Sequence, residues 1–237
     1  MLRRGLPASD MFDPNFKRLM YLRYADDFVI LVSGSNNDAI FIKQMVANVL
    51  ARKCGLELNR EKTVITATKD GFEFLGAHCI RTSALSAGMS RSKAGNPARY
   101  RMRMRIEIPV KKLIERLKTH KFIKDDSNGT LTATARKDLV NFSHAEIVSF
   151  FNHRIQGLVN FYSFAANLTS LRKILLFLQL SCALTLALKY KLRTKRAVFR
   201  RYGRTLQDPD TEVELKMPKT LKVLHKYSNS QPCQRRT

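Results

Sequence analysis

Acidic side chains are scarce in this sequence. Its 237 residues hold 19 Asp and Glu against 43 Lys and Arg, a formal net charge of +24. A folding chain with that excess calls for a polyanion, nucleic acid first and an anionic membrane surface or a ribosome-like assembly after it. Cysteine is also thin. Cys54, Cys79, Cys182 and Cys233 stand far apart with no Cys-x-x-Cys, and the five histidines do not fall at metal-ligand spacing. His78 and Cys79 are neighbours in a predicted strand, so their side chains point to opposite faces. No zinc site is expected, and a reducing compartment is the default. Tryptophan is absent, which excludes nothing by itself.

An unbroken apolar run of membrane length is missing too. The longest run, residues 174–188, is interrupted by Gln179, Ser181 and Thr185. It stops short of the roughly 18–20 residues that cross a bilayer, so it reads as a buried helix with no membrane insertion. No secretory signal is visible. Met1-Leu2-Arg3-Arg4 looks like the opening of a mitochondrial presequence, but Asp10 and Asp13 break that pattern. What is present is a length that allows one large domain or two small ones, and 44% hydrophobic residues to build a core.

The most telling short stretch is Tyr24-Ala25-Asp26-Asp27. Leu19, Met20, Tyr21 and Leu22 lead into it, and Phe28, Val29, Ile30, Leu31 and Val32 lead out. Two β-forming runs about a polar pair predict a hairpin over 19–33 whose turn holds both carboxylates out of the sheet. Taken alone, Asp-Asp in a turn is ordinary turn chemistry. Forced together, though, the two carboxylates repel unless cations neutralise them. Mg²⁺ suits hard oxygen ligands and keeps waters for substrate phosphates, and two such ions clamp both oxygens of a phosphoryl transfer.

Residues 1–18 read as loop, broken by Gly5, Pro7 and Pro14. Ile42, Met45, Val46, Val49 and Leu50 predict an amphipathic helix over 37–53 that covers a face of the hairpin's sheet, stopped by Gly55. Strands are expected at 63–68 and 72–80. Residues 81–105 then turn small and basic, and alternation from Tyr100 to Ile108 puts Arg99, Arg101, Arg103 and Arg105 on one face of an extended strand. With Arg91 and Lys93 they form a candidate strip for neutralising phosphates.

Pro109 opens a helix to about 119 with a stripe of Val110, Leu113, Ile114 and Leu117, and Asp125 to Gly129 is a turn. Ser143-His144-Ala145-Glu146 has capping-box form. The helix after it carries Ile147, Phe151, Ile155, Leu158 and Tyr162 on one face to about Phe164. Further helices are expected over 170–190 and 194–203, then an irregular tail. At helical spacing Phe150, Phe151, Phe161, Tyr162 and Phe164 are expected in the core, while His144 and His153 read as a cap neighbour and a packed or solvated side chain. The candidate RNA contacts are Lys189, Lys191, Arg193, Lys195, Arg196, Arg200 and Arg201, with Arg204, where cations also suit a helix C-terminus.

Tyr-Ala-Asp-Asp between apolar flanks resembles the active-site hairpin of reverse transcriptases. Arg23 to Phe28, then Leu58-Asn59-Arg60-Glu61-Lys62-Thr63, then Phe74-Leu75-Gly76 are similar in order and spacing to the group II intron reverse transcriptase/maturase family. Leu6 to Asp10 and Asp13-Pro14-Asn15 also look like that family. Gly157 to Phe164, Ser181 to Ala187 and Lys189-Tyr190-Lys191-Leu192 resemble its thumb or maturase domain, called domain X.

The resemblance implies an α+β fold, with a partial reverse-transcriptase palm at 1–80 and a basic linker at 81–108. An all-α thumb/maturase domain at 109–207 and a basic tail at 208–237 complete it. It implies binding of structured intron RNA. It also implies Asp26 and Asp27 as Mg²⁺ ligands and Lys62 near the nucleotide's phosphates. A third metal-binding carboxylate and the fingers, which the family carries upstream, are not found, nor are its endonuclease cysteines. A palm so shortened has an open edge that invites another chain. Three expectations follow: a maturase that helps intron RNA fold for splicing; part of a split RNA-directed DNA polymerase, inactive alone and completed by an N-terminal reverse-transcriptase chain; or a structural subunit of an organellar ribonucleoprotein such as a mitochondrial ribosome. The family's habitats point to the mitochondrial matrix.

Overall fold

The computed structural model describes residues 17–59, 61–81, 90–91, 97–98 and 104–222. The chain divides into two compact units between Leu75 and Gly76. In the first, β1 (Leu19–Tyr24) pairs antiparallel with β2 (Asp27–Val32), in register from Leu19↔Val32 to Tyr24↔Asp27. The two-residue turn is therefore Ala25-Asp26, with Ala25 in the left-handed region at φ 51. Arg23 Nε donates to the Ala25 carbonyl at 2.7 Å and braces the turn. Helix α1 (Asn36–Cys54) starts at a reciprocal capping box: Ser35 Oγ accepts from the Asp38 N–H at 3.3 Å, and Asp38 Oδ2 accepts from the Ser35 N–H at 2.8 Å. Gly55, at φ 63, closes it with its N–H on the Ala51 carbonyl.

Three expectations fail here. Residues 63–67 form no strand, since a ladder needs a neighbouring strand and the described residues offer none there. The run at 72–80 breaks at Leu75 and Gly76, with φ 49 and 75, into β3 (Phe72–Phe74) and β4 (Ala77–Arg81). The stripe on α1 is real but buries nothing, so the helix does not seal a sheet face as expected.

The second unit opens with β4, whose antiparallel partner across a long connection is β7 (Met104–Glu107), from His78↔Glu107 to Arg81↔Met104. Between them, β5 (Ser90–Arg91) pairs with β6 (Pro97–Ala98). Helix α2 (Val110–Thr119) follows, then a small hairpin of β8 (Ile123–Asp125) and β9 (Leu131–Ala133). The hairpin's turn is held by the Asp126 N–H on the Thr130 carbonyl at 2.8 Å. After it come α3 (His144–Phe161), α4 (Leu171–Lys189) and α5 (Lys195–Tyr202). Ser143 and Glu146 make the predicted capping box.

Helix α4 is the axis of the core, with twelve of its 19 residues buried. Residues 168–189 are long and apolar enough to cross a membrane by length and composition, so the length argument against spanning does not hold. What marks α4 as a core helix is packing. Phe151 and Ile155 of α3, Leu113 and Leu117 of α2 and Val198 of α5 share its buried cluster. Its three polar interruptions are all used. Ser181 Oγ donates to the Thr134 carbonyl at 2.6 Å, Thr185 Oγ1 accepts from the Arg136 N–H at 3.0 Å, and Gln179 Nε2 donates to the Arg204 carbonyl at 3.1 Å. They pin loops to the helix at positions where an apolar residue would leave a buried partner unsatisfied. Residues 208–222 are irregular but packed. Leu215 is buried, and the Asn152 side chain donates to the Glu214 carbonyl at 2.8 Å and accepts from the Lys216 N–H at 2.7 Å.

Candidate nucleic-acid interface

Helix α4 ends on Lys189. Its chain reverses through Lys191, left-handed at φ 54, and the Leu192 N–H returns to the Ala187 carbonyl at 2.8 Å. Thr194 Oγ1 accepts from the Ala197 N–H at 3.2 Å and starts α5. Val198 is the residue α5 buries, and Phe199 and Tyr202 pack partly buried against the core. Lys195, Arg196, Arg200 and Arg201 are all exposed. With Lys191, Arg193 and Arg204 they make seven exposed cations between positions 191 and 204. Among the described residues, none of the seven forms an ion pair with an acid, whereas Lys17, Arg105, Lys118 and Arg136 all do. Like charges left this close favour a polyanion, whose phosphates exchange condensed counterions for protein cations.

Lys189 differs from these seven. It is half-buried, donates to the Val140 carbonyl at 3.4 Å and lies 5.9 Å from the Tyr190 ring centre. Arg201 sits over two rings, 5.7 Å from Tyr190 and 5.3 Å from Tyr202.

Beneath α5 lies a polar cluster that the sequence reading missed. His144 is buried. One ring nitrogen, Nε2, is 3.0 Å from the Leu206 carbonyl, which can only accept, so Nε2 carries the hydrogen. In the neutral ring Nδ1 then accepts from the Tyr190 hydroxyl at 3.2 Å. Asp208 is buried beside it, with Oδ1 3.8 Å from Nδ1 and Oδ2 accepting from Thr211 Oγ1 at 2.6 Å. The His144 ring stands edge-on to Tyr202 at 4.7 Å. Burial, then Tyr202 and Asp208, push the Tyr190 phenol up to about 12. The partners lie 46 to 64 positions from His144, so no local spacing betrays them.

Arg91 lies in β5, and Lys93, Arg99, Arg101 and Arg103 fall outside the described residues. Arg105, opposite Ile80, pairs with Glu107 at 3.2 Å, while Met104 and Ile106 lie exposed on the other face of β7. Of the aromatics expected in the core, Phe151 and Tyr162 are there, and the Tyr162 hydroxyl donates to the Gly76 carbonyl at 3.2 Å. Phe161 and Phe164 are not: they are 52% and 41% exposed, because α3 ends at Phe161 and the buried face passes through Ile155 and Tyr162 instead. Phe150 is half-buried between the guanidinium groups of Arg136 and Arg154, at 5.5 and 5.1 Å.

In the first unit, Asp26 sits in the turn, but Asp27 is the first residue of β2, opposite Tyr24, which corrects the expectation that the turn holds both. Both are exposed. Lys62 is exposed, its backbone N–H on Asn59 Oδ1 at 3.1 Å. Among the described residues no three His, Cys, Asp or Glu side chains gather as metal ligands. Two adjacent carboxylates do not by themselves make a metal site.

The type II intron maturase family model matches residues 101–235, and the reverse transcriptase (RNA-dependent DNA polymerase) model matches residues 7–79. The COX1/OXI3 intron 2 protein of Saccharomyces cerevisiae is 31% identical over 223 residues, which is 91% of this chain and 25% of that protein. The group II intron-encoded protein LtrA of Lactococcus lactis is 32% identical over 192 residues, 80% of this chain and 31% of the relative. A 91 kDa protein in the cob intron of Schizosaccharomyces pombe is 27% identical over 221 residues, 89% and 26%. The chain thus spans between a quarter and a third of the length of these relatives. The order of a reverse-transcriptase segment and then a helical unit that the maturase model covers, over more than half of the sequence, makes this chain a member of the type II intron maturase family.

Proposed function

We propose that this chain binds group II intron RNA and helps it fold for splicing, the splicing chemistry being the RNA's own. The observation that carries this reading is the row of exposed cations from Lys191 to Arg204, unpaired among the described residues, at the corner of α4 and α5. Lys191, Arg193, Lys195, Arg196, Arg200 and Arg201 contact phosphates, and Lys189 braces the corner. Arg91, Lys93, Arg99, Arg101, Arg103 and Arg105 are the further cations proposed to neutralise phosphates. Such contacts position a folded RNA and carry little sequence information. The mitochondrial matrix is the proposed location, supported by relatives named for introns of COX1/OXI3 and cob. Crosslinking in native extract, followed by sequencing of the bound RNA, tests the reading. Reads concentrated in one or a few introns are expected. Ribosomal RNA at a fixed site overturns it in favour of a structural subunit.

A second reading is favoured by one observation: residues 17–75 bury no described side chain although they match the reverse-transcriptase model. In it, this segment is part of a palm completed by an N-terminal reverse-transcriptase polypeptide. Asp26 and Asp27 then hold Mg²⁺ together with a carboxylate from that partner, and Lys62 faces the nucleotide's phosphates. Primer extension should appear only when the partner is supplied, and Asp26→Asn with Asp27→Asn should abolish it. Extension by this chain alone contradicts the reading.

A further inference from the structure

We infer that His144 is a positioning residue for the RNA-contacting helix α5; the inference rests on the RNA reading above. Three elements that are remote in sequence meet at its imidazole. His144 is the first residue of α3, Tyr190 caps the end of α4, and Tyr202 ends α5. The ring donates through Nε2 to the Leu206 carbonyl at 3.0 Å, shares a hydrogen bond between Nδ1 and the Tyr190 hydroxyl at 3.2 Å and packs edge-on against Tyr202 at 4.7 Å. It therefore bonds the chain on both sides of α5 and touches the helix itself.

The rotation of α5 is set by few side chains. The helix has eight residues, of which Val198 is buried and Phe199 and Tyr202 pack partly buried against the core. Of these three, Tyr202 is the one that meets a polar partner, the His144 ring, at 4.7 Å. The Tyr202–His144–Tyr190 stack therefore restrains the roll of the helix, because turning α5 drags Tyr202 off the imidazole edge. Tyr190 and Tyr202 stack at 5.3 Å, and Arg201 lies over both. The direction in which Lys195, Arg196 and Arg200 point is thus coupled to a buried ring that never meets the RNA. Asp208 completes the enclosure, its carboxylate tied to Thr211.

A positioning role and a purely structural one differ in what they do to the salt dependence of binding. The slope of log affinity against log salt counts the phosphates neutralised at once. Partial unfolding lowers the active fraction and leaves that count unchanged, whereas a helix that rolls loses contacts and flattens the slope.

The experiment uses the full chain and a synthetic RNA hairpin, with affinity read across a salt series and folding read by cooperative thermal melting. His144→Phe keeps a flat ring against Tyr202 and removes both hydrogen bonds. It is expected to melt cooperatively, to bind about tenfold more weakly at low salt, and to flatten the slope by about one to two units. His144→Gln, which restores a donor to Leu206, should recover most of the affinity. Tyr202→Leu removes the ring from the helix side and carries the test if His144→Phe does not fold. An unchanged slope in the folded variant overturns the inference, as does His144→Gln binding no better than His144→Phe. Lys195→Gln, Arg196→Gln and Arg200→Gln together separate the two levels. If this triple variant keeps the wild-type slope, the RNA reading fails and the inference with it. If it flattens the slope while His144→Phe does not, only the inference fails.

Discussion

Residues 17–75 and residues 76–222 are built by the same local rules and reach opposite ends. The first unit has a capped helix, a glycine stop and a hairpin in full register, yet every described side chain is at least partly exposed. Tyr24 is 67% exposed, and Leu19, Met20, Tyr21 and Leu22 of β1 all lie open. The second unit encloses Phe151, Ile147, Ile155, Leu178, Leu186 and Leu215 almost completely. Fully burying such side chains contributes about 1.5–3 kcal/mol each. Caps and turns shape an element, but burial holds it, and a lone two-stranded hairpin is marginal in water. The helical unit therefore carries a buried core of its own, and the hairpin unit, among the described residues, does not.

Core truncation should show that contrast most strongly. Phe151→Ala is expected to cost about 3–5 kcal/mol in chemical denaturation, enough to abolish much of the unit's stability. Leu22→Ala in β1, where the side chain is 48% exposed, should shift the same curve by less than about 0.5 kcal/mol. An equal loss at both sites would erase the distinction between the units. Next in size is the basic corner. The Lys195, Arg196 and Arg200 to Gln triple change should lower the salt slope of RNA binding by about 2–3 units and leave the melting temperature nearly unchanged. Ser181→Val follows, since it leaves the Thr134 carbonyl without its buried donor, and about 1–3 kcal/mol of destabilisation is expected by denaturant titration.

The smallest effect concerns acid. The hydrogen bond from Lys17, and then those from Ser35, hold the Asp38 carboxyl down from 3.8 to about 2. A carboxylate whose pKa is depressed on folding stabilises the folded state above its ordinary value, and that contribution fades as pH falls from 3.8 through about 2. Its partner Lys17 is exposed and solvent screens the pair, so fraying should stay confined to the start of α1. Side-chain NMR titration of Asp38 should find its midpoint well below an ordinary aspartate's. A midpoint near 3.8 means the pairing with Lys17 does not persist in solution.

The parts legible in the sequence share one property: their causes lie within a few residues. Alternation about Ala25-Asp26 foretold the hairpin, Ser143 with Glu146 foretold the start of α3, and Gly55 marked the end of α1. The one-signed charge of residues 189–204 pointed to a polyanion before any geometry was known. Propensity alone misled at 63–68, where strand-forming residues found no ladder, and at Phe161 and Phe164, where helical spacing met the end of the helix.

Composition and periodicity thus marked individual strands and helices, an apolar helix and a basic end, because side-chain chemistry and backbone sterics act over one turn or one strand pair; the α+β fold was implied by the family resemblance. Folding in three dimensions settled the rest. Twelve buried residues, and not the length of the apolar run, make α4 a core helix. Closure of loops 46 and 62 residues long brings Tyr190 and the Leu206 carbonyl to His144. Such meetings depend on which apolar surfaces find each other once water is expelled, and that is a property of the whole assembled core rather than of any segment in it.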